Sequence, residues 1–207
     1  MKNSNWLYEE HGRNVTSQHG EDGVIEKIFQ IIKPIHKICV EFGAMNGIIW
    51  SNTYNLIMNH GWRSVQIEMR NDFFKELTKT YKDKPVTCIK ETVLPENIEA
   101  ILTQSGVPQN FDFLSIDVDG LDCKIFEAIK TFKPQVIIIE CDLPALLFSI
   151  TSLAKSKGYE LVAVTGVNAF FVLSEFYPLF EIKDNDVKNY KIWNIGNTAF
   201  EFGLKLI

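Results

Sequence analysis

The sequence predicts an α/β fold built on a seven-stranded sheet, mostly parallel, with an antiparallel last strand. Three observations carry this. Strand-like and helix-like segments alternate along most of the chain, a pattern that puts helices on both faces of a parallel sheet. Val136–Ile139 is an unbroken apolar run of strand length, as expected of a central strand covered on both sides. The last two apolar segments are joined only by Thr165-Gly-Val-Asn168, too short for a helical crossover, so they should pair antiparallel. The arrangement is doubly wound and Rossmann-like.

The elements follow in order. Met1–Ser17 is polar and shows no clear period. Val24, Ile25, Ile28, Phe29 and Ile32 recur at helical spacing, and Pro34 ends that helix. Strand one runs from Lys37 to Phe42. A helix opens near Ser51 or Asn52, both good capping types, and stops at Gly61. Strand two spans Arg63–Glu68. Asn71 can cap a helix carrying Phe74, Leu77 and Tyr81. Strand three is Val86–Lys90, and the next helix starts near Pro95. Strand four is Phe111–Asp117, followed by a helix with Ile125, Phe126 and Ile129. Strand five is Gln135–Cys141. A helix burying Leu146, Leu147, Ile150, Leu153 and Ala154 stops at Gly158. Strands six and seven are Tyr159–Val164 and Ala169–Leu173. The chain reads as one domain over residues 1–207: an N-terminal helical segment (1–35), a Rossmann-like core (36–173) and an aromatic-rich extension (174–207).

Composition narrows the function. The chain is 46% hydrophobic and 23% charged, ordinary for a globular domain. No apolar stretch is long enough to span a membrane, and Met1–Glu10 lacks a basic-then-apolar signal pattern. A cytoplasmic location is the expectation. The formal net charge of −5 argues against nucleic acid as a partner, because phosphate binding favours basic surfaces. The four cysteines form no CxxC pair, which speaks against zinc. Cys39, Cys88 and Cys141 lie in strand-like runs and are expected to be buried thiols.

In an open α/β sheet the ligand binds beyond the carboxyl ends of the strands. Those ends here carry Glu41-Phe-Gly43-Ala-Met-Asn-Gly47, Glu68, Glu91-Thr92, Asp117-Val-Asp119-Gly120 and Glu140-Cys-Asp142. Gly43 and Gly47 allow backbone to approach a ligand closely. The helix starting near Ser51 can offer free N–H groups to a carboxylate. Glu68 can accept both hydroxyls of a ribose, and Asp117 lies where a group donor and its acceptor could meet. Each feature has an ordinary structural explanation, but their recurrence at successive strand ends points to a cofactor site. Dinucleotide enzymes show G-x-G-x-x-G after strand one. This chain has E-x-G-x-x-x-G and no Tyr-x-x-x-Lys pair, so a nicotinamide-dependent oxidoreductase is the weaker alternative.

Several blocks resemble the FkbM-like family of class I methyltransferases. They are Ser17-Gln-His-Gly-Glu-Asp-Gly23, Val40-Glu-Phe-Gly-Ala-Met-Asn-Gly47, Ser51-Asn-Thr-Tyr-Asn-Leu56, Gly61-Trp62, Ile67-Glu68, Pro95-Glu-Asn-Ile98, Leu114-Ser-Ile-Asp-Val-Asp-Gly120 and Ile139-Glu140. The first and the Leu114–Gly120 block are the specific ones. The resemblance implies an S-adenosylmethionine site formed by Glu41, Gly43, Gly47, Asn52 and Glu68, with Thr92 beside the adenine and Asp117 beside the methionine moiety. It implies that Gln18, Glu21 and Asp22 close over the pocket. It also implies O-methylation of a sugar or other hydroxylated small molecule, with a small-molecule or glycan acceptor.

Asp117, Asp119 and Glu140 are the candidate catalytic bases. Mg²⁺ held by Asp117, Asp119, Glu140 and Asp142 is conceivable, but the favoured reading has no metal: Asp119 and Asp122 belong to the turn and the helix start, and only Asp117 and Glu140 face the pocket. The segment after strand five runs almost directly into the next helix, where similar proteins often carry a longer cover. This and the aromatic tail, with Tyr190, Trp193, Phe200 and Phe202, suggest a different alternative, a non-catalytic binding module, although the preferred reading is that those aromatics pack on the sheet. Oligomeric state is not legible.

Overall fold

A computed structural model describes residues 1–141 and 143–191. Among these residues seven strands form one sheet: β1 (Ile38–Phe42), β2 (Arg63–Ile67), β3 (Val86–Ile89), β4 (Phe113–Ile116), β5 (Val136–Glu140), β6 (Tyr159–Val164) and β7 (Asn168–Leu173). Their order across the sheet is β3-β2-β1-β4-β5-β7-β6. All neighbouring pairs from β3 to β5 are parallel. Strand β7 slots between β5 and β6 and runs antiparallel to both, so it alone opposes the others. The sheet is the one the alternation predicts, with the hairpin inserted rather than simply appended.

Among the described residues, seven α-helices accompany the strands: α1 (Trp6–His11), α2 (Glu21–Ile32), α3 (Tyr54–His60), α4 (Asn71–Thr80), α5 (Ile98–Ser105), α6 (Asp122–Ala128) and α7 (Pro144–Ser156). Side chains alternate between faces along each strand, and the core divides accordingly. Val40, Phe42, Leu114, Ile116, Ile137 and Ile139 pack with α5, α6 and α7. Cys39, Phe113, Val136, Ile138 and Phe170 pack with α1 to α4. Both faces are covered, which is why β5 reads as a continuous apolar run.

Three expectations are corrected. Residues 1–17 contain α1, held by buried Trp6 and Leu7. Helix α5 begins at Ile98 rather than near Pro95, because the Asn97 side chain accepts from Leu94 N and donates to the Thr92 carbonyl, holding a turn there. Cys39 and Cys141 are buried thiols, but Cys88 is only half-buried. In the extension, Tyr177–Phe180 and Val187–Asn189 form short 3-10 turns, and Tyr190 is buried against the α5–α7 core. Trp193, Phe200, Phe202 and Asp142 lie outside the described residues. Among the described residues, no helix is long and apolar enough to cross a membrane.

Candidate active site

Strand order reverses between β1 and β4, which opens a crevice beyond their carboxyl ends. A cavity of about 670 Å³ lies there, within the range of small-molecule and cofactor sites. Its wall follows the sheet: Thr92 after β3, Glu68 after β2, Glu41 and Gly43 at β1, Asp117 and Asp119 after β4, Glu140 at the end of β5, and Asn168 at the start of β7. Gln18, Glu21 and Asn52 also line it. Ten of the predicted site residues are thus brought to one space.

The glycine turn after β1 is shaped by protein atoms. Gly43 has φ 73°, and a Cβ on it would overlap the Asp117 carbonyl oxygen. Gly47 has φ 79°; its absent Cβ makes room for Tyr81 and Leu77, whose nearest atoms lie 2.6 and 2.8 Å from that position. The expectation that both glycines admit a ligand is therefore corrected for Gly47, while Gly43 lines the cavity. Gly43 admits β4, Gly47 admits α4, and Gly47 is not part of the cavity wall.

Glu41 is buried, and the chain itself occupies its carboxylate. Ser51 Oγ and Thr53 Oγ1 donate to Oε2 at 2.8 and 2.6 Å, and Asn52 N donates to Oε1 at 2.7 Å. Burial still raises its pKa, outweighing those donors. Thr53 N and Tyr54 N donate to Ser51 Oγ at 3.2 and 3.1 Å. The Asn52, Thr53 and Tyr54 N–H groups that lead into α3 are thus engaged internally, so these three are not free for a ligand carboxylate. Asn52 Nδ2 donates to Ser115 Oγ, and Gln66 Nε2 donates to Thr53 Oγ1. This buried polar network joins β1, β2, β4 and α3. Its partners come from separate strands, so only Ser51 and Asn52 were visible in the sequence, as capping types.

Glu68 is 5% exposed. Met45 N donates to its Oε2 at 2.9 Å and Arg70 N to its Oε1 at 2.6 Å. Each carboxylate oxygen keeps a free lone pair, so Glu68 both ties down the glycine turn and can accept from a ligand.

The N-terminal segment closes the other end. Glu21 accepts from Thr165 Oγ1 at 2.7 Å, Asn168 Nδ2 at 3.1 Å and His19 N at 2.6 Å. Asp22 is buried but is not part of the cavity wall; Val15, Thr16 and Ser17 N–H groups donate to its Oδ2 at 2.7–2.9 Å. Its expected place over the pocket is corrected: it folds the loop that carries Gln18. Asn168 is a site residue the sequence reading missed, since β7's seat beside β5 does not follow from the hairpin alone.

The acidic groups at β4 and β5 are electrostatically distinct. Asp117 and Glu140 share a hydrogen bond. Burial first, then the charges of Asp122 and Asp119, pushes Asp117 up to about 7. Burial and the charge of Asp117 push Glu140 up to about 8. The two titrate as a pair, and near neutrality they hold a proton between them. Asp122 stands beside them: carboxylate oxygens of Asp117, Asp122 and Glu140 lie within 4.8 Å of one another. Asp122 accepts from Val118 N at 2.8 Å and Gly120 N at 2.9 Å, as expected of a helix-start residue. Asp119 has φ 55° and is exposed, yet it lines the cavity, contrary to the reading that left only Asp117 and Glu140 facing it.

No protein-family model and no curated protein sequence matches the chain. Solved structures do. The chain is similar to a putative RNA methyltransferase from Pyrococcus horikoshii, with a TM-score of 0.53, 12% identity, and 76% and 88% of the two chains covered. It is similar to Aeropyrum pernix fibrillarin, solved with natively bound S-adenosyl-L-methionine, with a TM-score of 0.51, 12% identity and 67% of each chain covered. It is also similar to a precorrin-6y C5,15-methyltransferase from Geobacter metallireducens, with a TM-score of 0.50, 14% identity, and 79% and 92% covered. At such identities the likeness is one of fold, and the fold is the Rossmann-like one of the S-adenosylmethionine-dependent methyltransferases.

Proposed function

We propose that the chain is an S-adenosylmethionine-dependent methyltransferase acting on a hydroxyl of a small molecule, and we place it beside the FkbM-like family on its Ser17–Gly23 and Leu114–Gly120 blocks. The observation that carries this is the position of the cavity, which spans the carboxyl ends of β3, β2, β1, β4 and β5 with a different polar group at each. The residues fit the cofactor. Glu68 has unused lone pairs for a ribose diol, Thr92 and Val93 border the space beyond it, and Asp117 faces the opposite side of the turn. When bound, S-adenosylmethionine supplies an electrophilic methyl group.

The chain supplies position and a proton acceptor. Gly43 holds the β1 turn against β4, so that Glu68 and Asp117 face one space. Asp117 and Glu140, raised toward neutrality, can take the proton from an acceptor hydroxyl. Gln18 and Glu21 cover the site from the N-terminal segment and help to exclude water. Some similar structures carry names that refer to RNA or to precorrin. A phosphate-rich acceptor is disfavoured here, because Glu21, Glu41, Glu68, Glu91, Asp117, Asp119 and Glu140 line the cavity against one basic residue, Arg70. Arg70 is already paired with Asp72 at 2.6 Å.

Calorimetric titration with S-adenosylmethionine and S-adenosylhomocysteine tests the cofactor assignment, and methyl transfer to a panel of hydroxylated acceptors tests the reaction. Saturable binding of both ligands is expected. Absence of binding at millimolar ligand overturns the proposal.

A further inference from the structure

The loop between Gly47 and α3 presents Ile48, Ile49 and Trp50 outward, 42%, 44% and 56% exposed. Ile49 and Trp50 line the cavity, as do Met69, 60% exposed, and Phe73. The loop is pinned on both sides of these apolar residues. Asn46 Oδ1 accepts from Ile48 N and Ile49 N at 3.1 and 2.9 Å, and Tyr81 Oη donates to the Gly47 carbonyl at 2.8 Å. On the far side Ser51 Oγ donates to Glu41. Large apolar groups held outward on a fixed loop form a preorganised wall, which reduces the ordering entropy a ligand must overcome.

The charge of the cavity defines the rest of the occupant. Glu41 and Glu21 are satisfied by donors from the chain, and Glu68 takes one chain donor on each oxygen, its remaining lone pairs being those assigned to the ribose. Among the described residues, no lysine or arginine pairs with Asp117, Asp119 or Glu140. With a proton shared between Asp117 and Glu140, these two groups and Asp119 still carry more negative charge than the single positive charge of a sulfonium offsets.

Resting on the methyltransferase reading above, we propose that the acceptor is a cationic molecule with a flat aromatic body, its ring against Trp50 and Ile49, its hydroxyl toward the Asp117–Glu140 pair and its positive group toward Asp119. A sugar offers neither the ring nor the charge. An anionic aromatic meets the wall but is repelled by the carboxylates.

The test is calorimetry on the full chain saturated with S-adenosylhomocysteine, with three probes. Tyramine carries ring, hydroxyl and ammonium; 4-hydroxyphenylacetate carries the same ring with a carboxylate; methyl glucoside carries hydroxyls alone. Tyramine is expected to bind at least tenfold more tightly than either of the others. Trp50→Ala is expected to weaken tyramine at least tenfold, and Trp50→Phe to restore most of the loss, with circular dichroism showing both variants folded. Equal binding of tyramine and 4-hydroxyphenylacetate, tighter binding of methyl glucoside, no tyramine binding, or indifference to Trp50→Ala each overturns the proposal. Failure of S-adenosylhomocysteine to bind the unmodified chain overturns the cofactor reading instead, so the two failures are read separately.

Discussion

Gly43 sits against the carbonyl oxygen of Asp117, in the space where any other residue would carry its Cβ. Its φ of 73° is also one that L side chains rarely adopt. One glycine thus sets the distance between the β1 turn and the end of β4, the two elements that carry opposite sides of the cavity.

Gly43→Ala should therefore both strain the turn and push β4 away. Left-handed strain costs about 1–2 kcal/mol and overpacking about 1–3 kcal/mol. At about 2–4 °C per kcal/mol for a domain of this size, the melting temperature should fall by roughly 4–20 °C. Scanning calorimetry checks this. A variant melting within a degree of the parent would mean the turn relaxes freely and Gly43 does not set the site.

Glu68→Ala removes the acceptor for Met45 N and Arg70 N along with any acceptor for a ribose diol. Hydrogen bonds to a charged group are worth about 1.5–3 kcal/mol each, so affinity for S-adenosylhomocysteine should drop at least tenfold. Because Glu68 also ties down the turn, a modest loss of thermal stability should accompany it. Calorimetric titration of the folded variant is the check, and unchanged affinity would place the cofactor elsewhere.

The carboxyl ends of β1 to β5 were legible because each of those apolar runs stops at a charged or glycine residue, and Glu68, Asp117 and Glu140 could be placed by that alone. What each carboxylate does was less legible. Glu41 and Asp22 look as exposed to ligand in the sequence as Glu68 does. The structure turns them toward Ser51, Asn52 and Thr53, and toward the backbone of residues 15–17. Those partners are set by loop geometry that carries no hydrophobic period. Helix α1 was missed for a related reason: at six residues it is too short to show a 3.6-residue repeat, and tertiary burial of Trp6 and Leu7 holds it in place.

The raised carboxyls make stability depend on pH. Asp117 rises from 3.8 to about 7 and Glu140 from 4.5 to about 8 on folding, and burial also raises Asp122. The folded chain thus binds more protons than the unfolded chain across that interval, and stability falls as pH rises from about 4 to about 8. Glu26 and Glu99 are shifted the other way, but their effect lies below about pH 4.5; burial also lowers the His11 imidazole, which opposes the trend within the window but is one group against the raised carboxyls. The melting temperature should decline between pH 5 and pH 8, and Asp117→Asn should flatten the decline. A flat or rising profile would mean the two carboxyls are not buried as a protonated pair.

The last prediction concerns a metal. Asp117, Asp122 and Glu140 bring carboxylate oxygens within 4.8 Å of one another, and Mg²⁺ can be held by one or two carboxylates with water completing its shell. Two features work against it. Both Asp122 oxygens already accept backbone N–H groups that shape the turn before α6, so ligating a cation would pull them from that duty. Asp117 and Glu140 are raised toward neutrality and share a hydrogen bond, which satisfies the pair without a divalent charge. Acceptor binding and methyl transfer are therefore expected to be unchanged by chelator, and Mg²⁺ titration should leave the melting temperature where it is. A chelator-sensitive activity that Mg²⁺ restores, and that Asp117→Asn removes, would instead establish a catalytic metal and reassign the pair from proton acceptor to ligand.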